Sequence, residues 1–232
     1  MFWQECLVGT LIDLRRFSVE TMQRLISISW RLRDSISVVG RDGSNYIVHF
    51  NNPDDHRFML FNGPWSIDGA LLIFELWEPN RPFSSHYIFN TPIWVQLWGL
   101  LLEYQQPMVT RRIAHSIGDV FLVDWDYVIP RNIRFMRVRV WINPNNPLLA
   151  GCMIKRDDGV LTWIKFRYKK VYKVCKRCGI IGHSTPHCPH SNPEIERMNK
   201  WKESTDVSSM RQVMTSKNFC LLITLERSST EV

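Results

Sequence analysis

The 232-residue sequence predicts an α+β fold that ends in a small metal-held turn. Three observations carry that prediction. Short apolar, strand-like runs alternate with segments of helical period along the first part of the chain. Cations crowd one late segment. The stretch "CKRCGIIGHSTPHC", residues 175–188, gathers three cysteines and a histidine.

Taken in order, "CLVGTLI" reads as a short buried strand. "SVETMQRLISISW" reads as a helix, with Ser18 as N-cap and Val19, Met22, Leu25, Ile26 and Trp30 at helical spacing. "ISVVGRDGSNYIVHF" reads as a hairpin around Asp42-Gly43. "NNPDDHRFMLFNGP" reads as a second helix: Asn52 caps it, Pro53 suits its first turn and Gly63-Pro64 stops it. "ALLIFELW" is the next strand. The order β-α-β-β-α-β is that of the ferredoxin-like split unit, which RNA-recognition modules also use.

After a polar connection at 78–85, "TPIWVQLWGL" reads as a strand. "QPMVTRRIAHSIG" reads as a helix that buries Val109, Ile113 and Ile117, ends at Gly118, and turns Arg111, Arg112 and His115 outward. "VFLVDW" and "RFMRVRVWI" are further strands. They are expected to extend the first unit, giving an α+β domain over 1–145. A hairpin turning at "RDDG" joins the cysteine-rich turn in a second block, 146–190. Residues 191–232 are expected to form a polar, poorly ordered tail. That tail holds a short helix in "NPEIERMNKWKE" and a lone apolar run, "KNFCLLITLE".

The net charge of +7 is unevenly placed. Residues 1–92 carry 8 Lys and Arg against 10 Asp and Glu, whereas 93–190 carry 15 against 6. Within 131–177 there are 13 cations and 2 aspartates. Such a patch is the electrostatic footprint of a polyanion binder. Strand alternation places Trp163, Lys165, Arg167 and Lys169 on one face of the last hairpin arm, opposite Ile164, Phe166 and Tyr168. It likewise groups Phe135, Arg137, Arg139 and Trp141. Cations interleaved with aromatics can meet phosphates and stack on bases. The expected nucleic-acid contacts are therefore Arg137, Arg139, Trp163, Lys165, Arg167, Lys169, Lys170, Lys173, Lys176 and Arg177.

The cysteine-rich stretch spaces its ligands as Cys175-x2-Cys178-x4-His183-x4-Cys188. A structural zinc ion takes four tetrahedral sulfur and nitrogen ligands, and a Cys-x2-Cys pair supplies two from one tight turn. Gly179 and Gly182 provide the permissive backbone. One structural Zn2+ is expected, with His187 and His190 nearby as spare ligands. The other cysteines, Cys6, Cys152 and Cys220, are scattered and do not form a secreted disulfide framework.

"GPW" at 63–65, "PIWVQLWGL" at 92–100, "IAHSIGDVFLVD" at 113–124, "RFMRVRVWIN" at 134–143, "PLLAGCMIKRDDG" at 147–159 and the cysteine-rich stretch together resemble a plant family. It is the domain of unknown function 4283 followed by a CX2CX4HX4C zinc knuckle, as in products of LINE-type retrotransposons or host genes derived from them. The resemblance covers roughly residues 5–190. It implies a zinc-binding, nucleic-acid-binding and non-catalytic protein, similar to the nucleic-acid-packaging part of such an element, and carries the metal ligands onto Cys175, Cys178, His183 and Cys188. Two departures stand out. Leu101 stands after Gly99-Leu100, where the family's "GLP" block often has proline. Lys176 and Arg177 stand where many knuckles place an aromatic, which leaves Ile180, Ile181 and the flanking Tyr172 as apolar contacts.

Single-stranded RNA or DNA is the expected partner, since knuckles read splayed bases. The alternative is a protein-interaction adaptor. An enzyme is not expected: four protein ligands leave zinc no open position, His49 and His115 are solitary, and Asp54-Asp55 and Asp157-Asp158 occupy ordinary helix-start and turn positions. The start of the chain lacks a signal-peptide pattern, and "PIWVQLWGLLL" is too short to span a bilayer. An intracellular site, nuclear or cytoplasmic, is expected, with no membrane or small-molecule partner.

Overall fold

The structure, a computed structural model, describes residues 2–125 and 132–197, together with the backbone of short strands at 210–212 and 221–224. The chain forms two compact units. The first comprises Met1–Thr91, Asn143–Asn145 and Lys170–Cys188; the second comprises Pro92–Ile142, Asn146–Lys169 and Pro189–Val232.

The first unit follows the expected order. Strand β1 (Cys6–Ile12) leads to helix α1 (Val19–Ser29), where Ser18 accepts from the Thr21 N–H. Strands β2 (Ile36–Asp42) and β3 (Asn45–Phe50) form the hairpin. Helix α2 (Pro53–Phe61) starts under Asn52, whose Oδ1 accepts from the Asp54 and Asp55 N–H groups. A short strand, β4 (Trp65–Ile67), escaped the sequence reading and pairs with β5 (Ala70–Leu76). The sheet order is β2-β3-β1-β5-β4, antiparallel throughout, with β1 central as in a ferredoxin-like unit.

Both faces of this sheet are covered. Met22, Ile26 and Met59 of the two helices pack with Leu7, Leu11, Tyr46, Val48, Phe50 and Leu72 on one side. On the other, Cys6, Val8 and Ile47 lie under Trp77 and Phe83. Asn45 secures that cover by donating to the carbonyls of Phe83 and His86, 3.2 Å each. The sheet face that RNA-recognition modules leave open for RNA is here packed against the chain's own segment after β5.

In the second unit, β6 (Thr91–Trp98), α3 (Pro107–Ala114), β7 (Asp119–Val123), β8 (Phe135–Ile142), β9 (Gly151–Lys155) and β10 (Leu161–Tyr168) build another sheet. Its order is β11-β12-β9-β10-β6-β8-β7, with β11 (Met210–Gln212) and β12 (Leu221–Thr224) at one end. These strands were expected to extend the first unit. Instead β6 pairs with β10 of the last hairpin, Arg167 opposite Gln96, so hairpin and extension share one sheet. The division at 145/146 is thus redrawn: the hairpin goes with 92–142, and the cysteine-rich turn goes with the first unit.

Helix α3 ends at Ala114 rather than Gly118, and the chain tightens through Ile117 N–H to Ala114 O (2.9 Å). Thr110, Ile113 and Ala114 are buried, while Val109 and Ile117 are half-buried. Gly118 is needed for close approach, since a Cβ there would lie 2.1 Å from the Trp141 carbonyl oxygen. In the tail, 192–197 is helical as expected. The apolar run gains a partner the sequence did not reveal, because β12 pairs in parallel with β9. The rest of the expected poorly ordered tail lies outside the described residues. Among the described residues, no helix is long and apolar enough to cross a membrane.

Candidate metal centre and cationic sheet face

The four expected ligands meet. One ligand atom each from Cys175, Cys178, His183 and Cys188 lies within 4.8 Å of the others, and His183 Nε2 is 3.3 Å from Cys178 Sγ. Tetrahedral zinc, with ~2.3 Å to sulfur and ~2.0 Å to nitrogen, spaces its ligands ~3.5–3.8 Å apart, so the cluster is close to the required size. Local hydrogen bonds make the turn. The Gly179 N–H donates to Cys175 O (2.8 Å), the Cys175 N–H to Ile180 O (3.0 Å) and the Gly182 N–H to Lys173 O (2.8 Å). Gly179 and Gly182 take φ of 77° and 100°. Of the two spare histidines, His187 is otherwise engaged, with its Nδ1 2.9 Å from Ser184 Oγ.

Burial pushes the Cys178 thiol up to about 12. Burial also opposes ionisation of Cys175, but hydrogen bonds from the Cys178 and Arg177 N–H groups more than offset it and hold that thiol below its ordinary value. Three sulfurs and one imidazole nitrogen form a donor set that suits zinc.

The turn is docked on the end of β1, a contact no sequence pattern announced. The Leu14 N–H donates to Gly182 O (3.0 Å), and a Cβ on Gly182 would sit 3.1 Å from Ile12 O. Lys173 Nζ reaches Asp13 Oδ2 at 2.8 Å, and Arg15 holds the same carboxylate. Burial would raise Asp13, but hydrogen bonds from Arg15 and Lys173 dominate and bring it down to about 2.

This docking gives two of the expected nucleic-acid contacts partners within the chain. Lys173 is committed to Asp13. Lys170 sits with Nζ 3.8 Å from the Trp65 ring centre. Ile180 and Ile181, expected as apolar contacts, are 8% and 4% exposed because they face inward beside the Val174–Ile181 bridge. Lys176 and Arg177 are exposed at the tip, and Tyr172 is 71% exposed.

In the second unit, Trp163, Lys165, Arg167 and Lys169 are exposed while Ile164 and Phe166 are buried, the expected alternation. Tyr168 is half-buried and donates to Leu149 O at 3.0 Å. Arg137 pairs with Asp124 at 2.7 Å and lies 4.4 Å over Trp94. Arg139 lies 5.9 Å from Trp94 and 5.4 Å from Phe121. Arg167 rests 4.3 Å over Trp98. Sequence reasoning missed Trp94, Trp98 and Phe121. The period-two spacing of Trp94, Gln96 and Trp98 was the available signal for the first two.

The Cys-Cys-His-Cys cluster, carried on a ferredoxin-like unit, has the ligand set and spacing of a CCHC-type zinc knuckle. The comparisons agree: residues 2–85 match the family described as domain of unknown function 4283, and residues 142–190 match the family described as zinc knuckle. The first match ends within the first unit, short of the 1–145 span expected from sequence. A protein of Arabidopsis thaliana described as uncharacterized is 26% identical over 154 residues, which are 66% of this chain and 48% of that protein. The chain thus spans about half the length of the curated relative it matches.

Proposed function

We propose that the chain is a non-catalytic, zinc-dependent nucleic-acid-binding protein whose ligand is single-stranded RNA or DNA. The observation that carries this reading is the closed four-ligand centre with exposed Lys176 and Arg177 between its first two cysteines. Zinc, when bound, supplies a cross-link rather than a reactive position. Cys175, Cys178 and Cys188 would give sulfur and His183 its Nε2. No ligand position is left for an attacking water.

The protein's own residues do the binding. The exposed row Lys165, Arg167 and Lys169 offers cations at every second position of β10 and its extension, all on one face of the strand. Their contribution comes largely through counterion release, so binding falls as salt rises. The resemblance to LINE-type element products fits a role in coating a nucleic acid.

The test is fluorescence anisotropy with single-stranded RNA, single-stranded DNA and duplex DNA at several salt concentrations. Zinc-loaded wild type is compared with Cys178→Ser and with the triple variant Lys165→Ala/Arg167→Ala/Lys169→Ala. Wild type is expected to prefer single strands, and the triple variant to lower the log–log salt slope by about 2, at ~0.7 per single-strand phosphate contact. An unchanged slope excludes the β10 row as a phosphate site. If wild type binds none of the three nucleic acids, the nucleic-acid reading fails and a protein partner takes its place.

A further inference from the structure

The open face of the second unit's sheet is built differently from an ordinary solvated strand face. Four neighbouring strands, β10, β6, β8 and β7, present one row after another. Trp98 packs against Phe135 at 4.8 Å, with the Arg167 guanidinium over its ring. Trp94 carries Arg137 and Arg139, and Arg139 continues to Phe121. Phe121 meets Trp141 edge-on at 5.8 Å. A bulge between Val120 and Leu122 coincides with Phe121.

Rings on this surface stay accessible: Phe121 is 53%, Trp141 38% and Trp163 36% exposed. Large aromatics left open on a sheet forgo the burial that normally justifies them. Among the described residues the charge is mostly positive: Lys155, Lys165, Arg167, Lys169, Arg137 and Arg139 stand with the carboxylates Asp124, paired to Arg137, and Asp119, opposite Trp141, while Asp157 and Asp158 lie at the β9–β10 turn, Asp158 paired to Arg156.

We propose that this face is the base-binding platform of the protein, taking a single-stranded polynucleotide laid across β10, β6, β8 and β7. Bases stack on Trp163, Phe121 and Trp141. Lys155, Lys165, Lys169 and Arg167, which rests on the Trp98 ring, meet the phosphates. The proposal rests on the nucleic-acid reading above but assigns base contact to a different place. The knuckle has turned its isoleucines inward, and the first unit's sheet is covered on both faces. Those two surfaces, where base contact is otherwise expected, are spent on packing. The four strands span ~14 Å at ~4.8 Å per strand, room for two or three stacked bases.

The experiment compares two labelled twelve-nucleotide probes with identical phosphates, oligo(dT) and a fully abasic strand, on the full-length zinc-loaded protein. Stacking of two bases at the usual worth of a base on an aromatic predicts that wild type binds oligo(dT) at least ~30-fold more tightly than the abasic strand. It also predicts quenching of tryptophan fluorescence by oligo(dT) alone. Phe121→Ala/Trp163→Leu should erase most of that preference while leaving the salt slope unchanged. Equal binding of both probes by wild type overturns the platform while leaving phosphate binding standing, and that comparison needs no variant. Retention of the full oligo(dT) preference by the double variant also overturns it. Wild type that binds neither probe sinks the platform together with the nucleic-acid reading beneath it.

Discussion

Gly182 shows how much one residue carries. Its φ of 100° suits the metal-holding turn, and its missing Cβ lets that turn close on Ile12 of β1. Gly182→Ala meets both the left-handed backbone cost and a contact of 3.1 Å to a carbonyl oxygen, so it should cost about 2–3 kcal/mol. The loss would be read from the urea midpoint of zinc-loaded protein. Asp13 is the charged counterpart. Its pKa lies below its ordinary 3.8, at about 2, so its contribution is complete above pH 3.8 and is lost as pH falls through about 2. Wild type should exceed Asp13→Asn by about 2 kcal/mol at pH 7, and the gap should close in acid. A gap that persists at pH 2 would show that the carboxylate charge is not its source.

At the scale of elements, caps and close approaches decide where helices stop. Asn52→Ala removes an acceptor for two N–H groups at the start of α2 and should cost about 1 kcal/mol. The end of α3 is set by tertiary fit. Helical periodicity through Ile117 suggested a longer helix, but the chain must turn so that Gly118 can lie against the Trp141 carbonyl of β8. Gly118→Ala should lower stability by about 3 kcal/mol. Gly40→Ala, where a Cβ meets nothing within 4 Å, should change it by less than about 0.5 kcal/mol. Thermal midpoints of the two variants would separate a packing role from a general effect of replacing glycine.

Over the whole molecule, the chain leaves its first unit after Thr91 and returns to it at 143–145 and 170–188. The metal-holding turn is therefore part of the first unit's structure, through Gly182, Leu14, Lys173 and Asp13. Binding energy of a structural metal becomes folding energy of whatever the ligands are tied to. Chelation should therefore speed amide exchange at Leu14 and in β1, with little change in β6 or β8 of the second unit, as read by hydrogen-exchange mass spectrometry. Equal exchange with and without chelator in β1 would mean the turn opens without disturbing its support.

Local chemistry written in adjacent residues was legible before any coordinates. The ligand spacing, the Ser18 and Asn52 caps, the β2–β3 hairpin, whose turn falls at Gly43-Ser44, one residue beyond the expected Asp42-Gly43, and the alternation along β10 each depend on neighbours within a turn or two, where short-range sterics and hydrogen bonding act alone. Partnerships between distant segments were not legible. The pairing of β6 with β10, the arginines over Trp94 and Trp98, the capture of Lys173 by Asp13 and the inward turn of Ile180 and Ile181 join residues far apart in the chain. An exposed lysine and an ion-paired one look alike in sequence, because burial and partner choice are fixed only when the sheets pack. The sequence by itself determined which groups could bind a metal and a polyanion. The tertiary structure decided which of them packing leaves available, since a side chain spent on a neighbour has lost its freedom to meet a ligand.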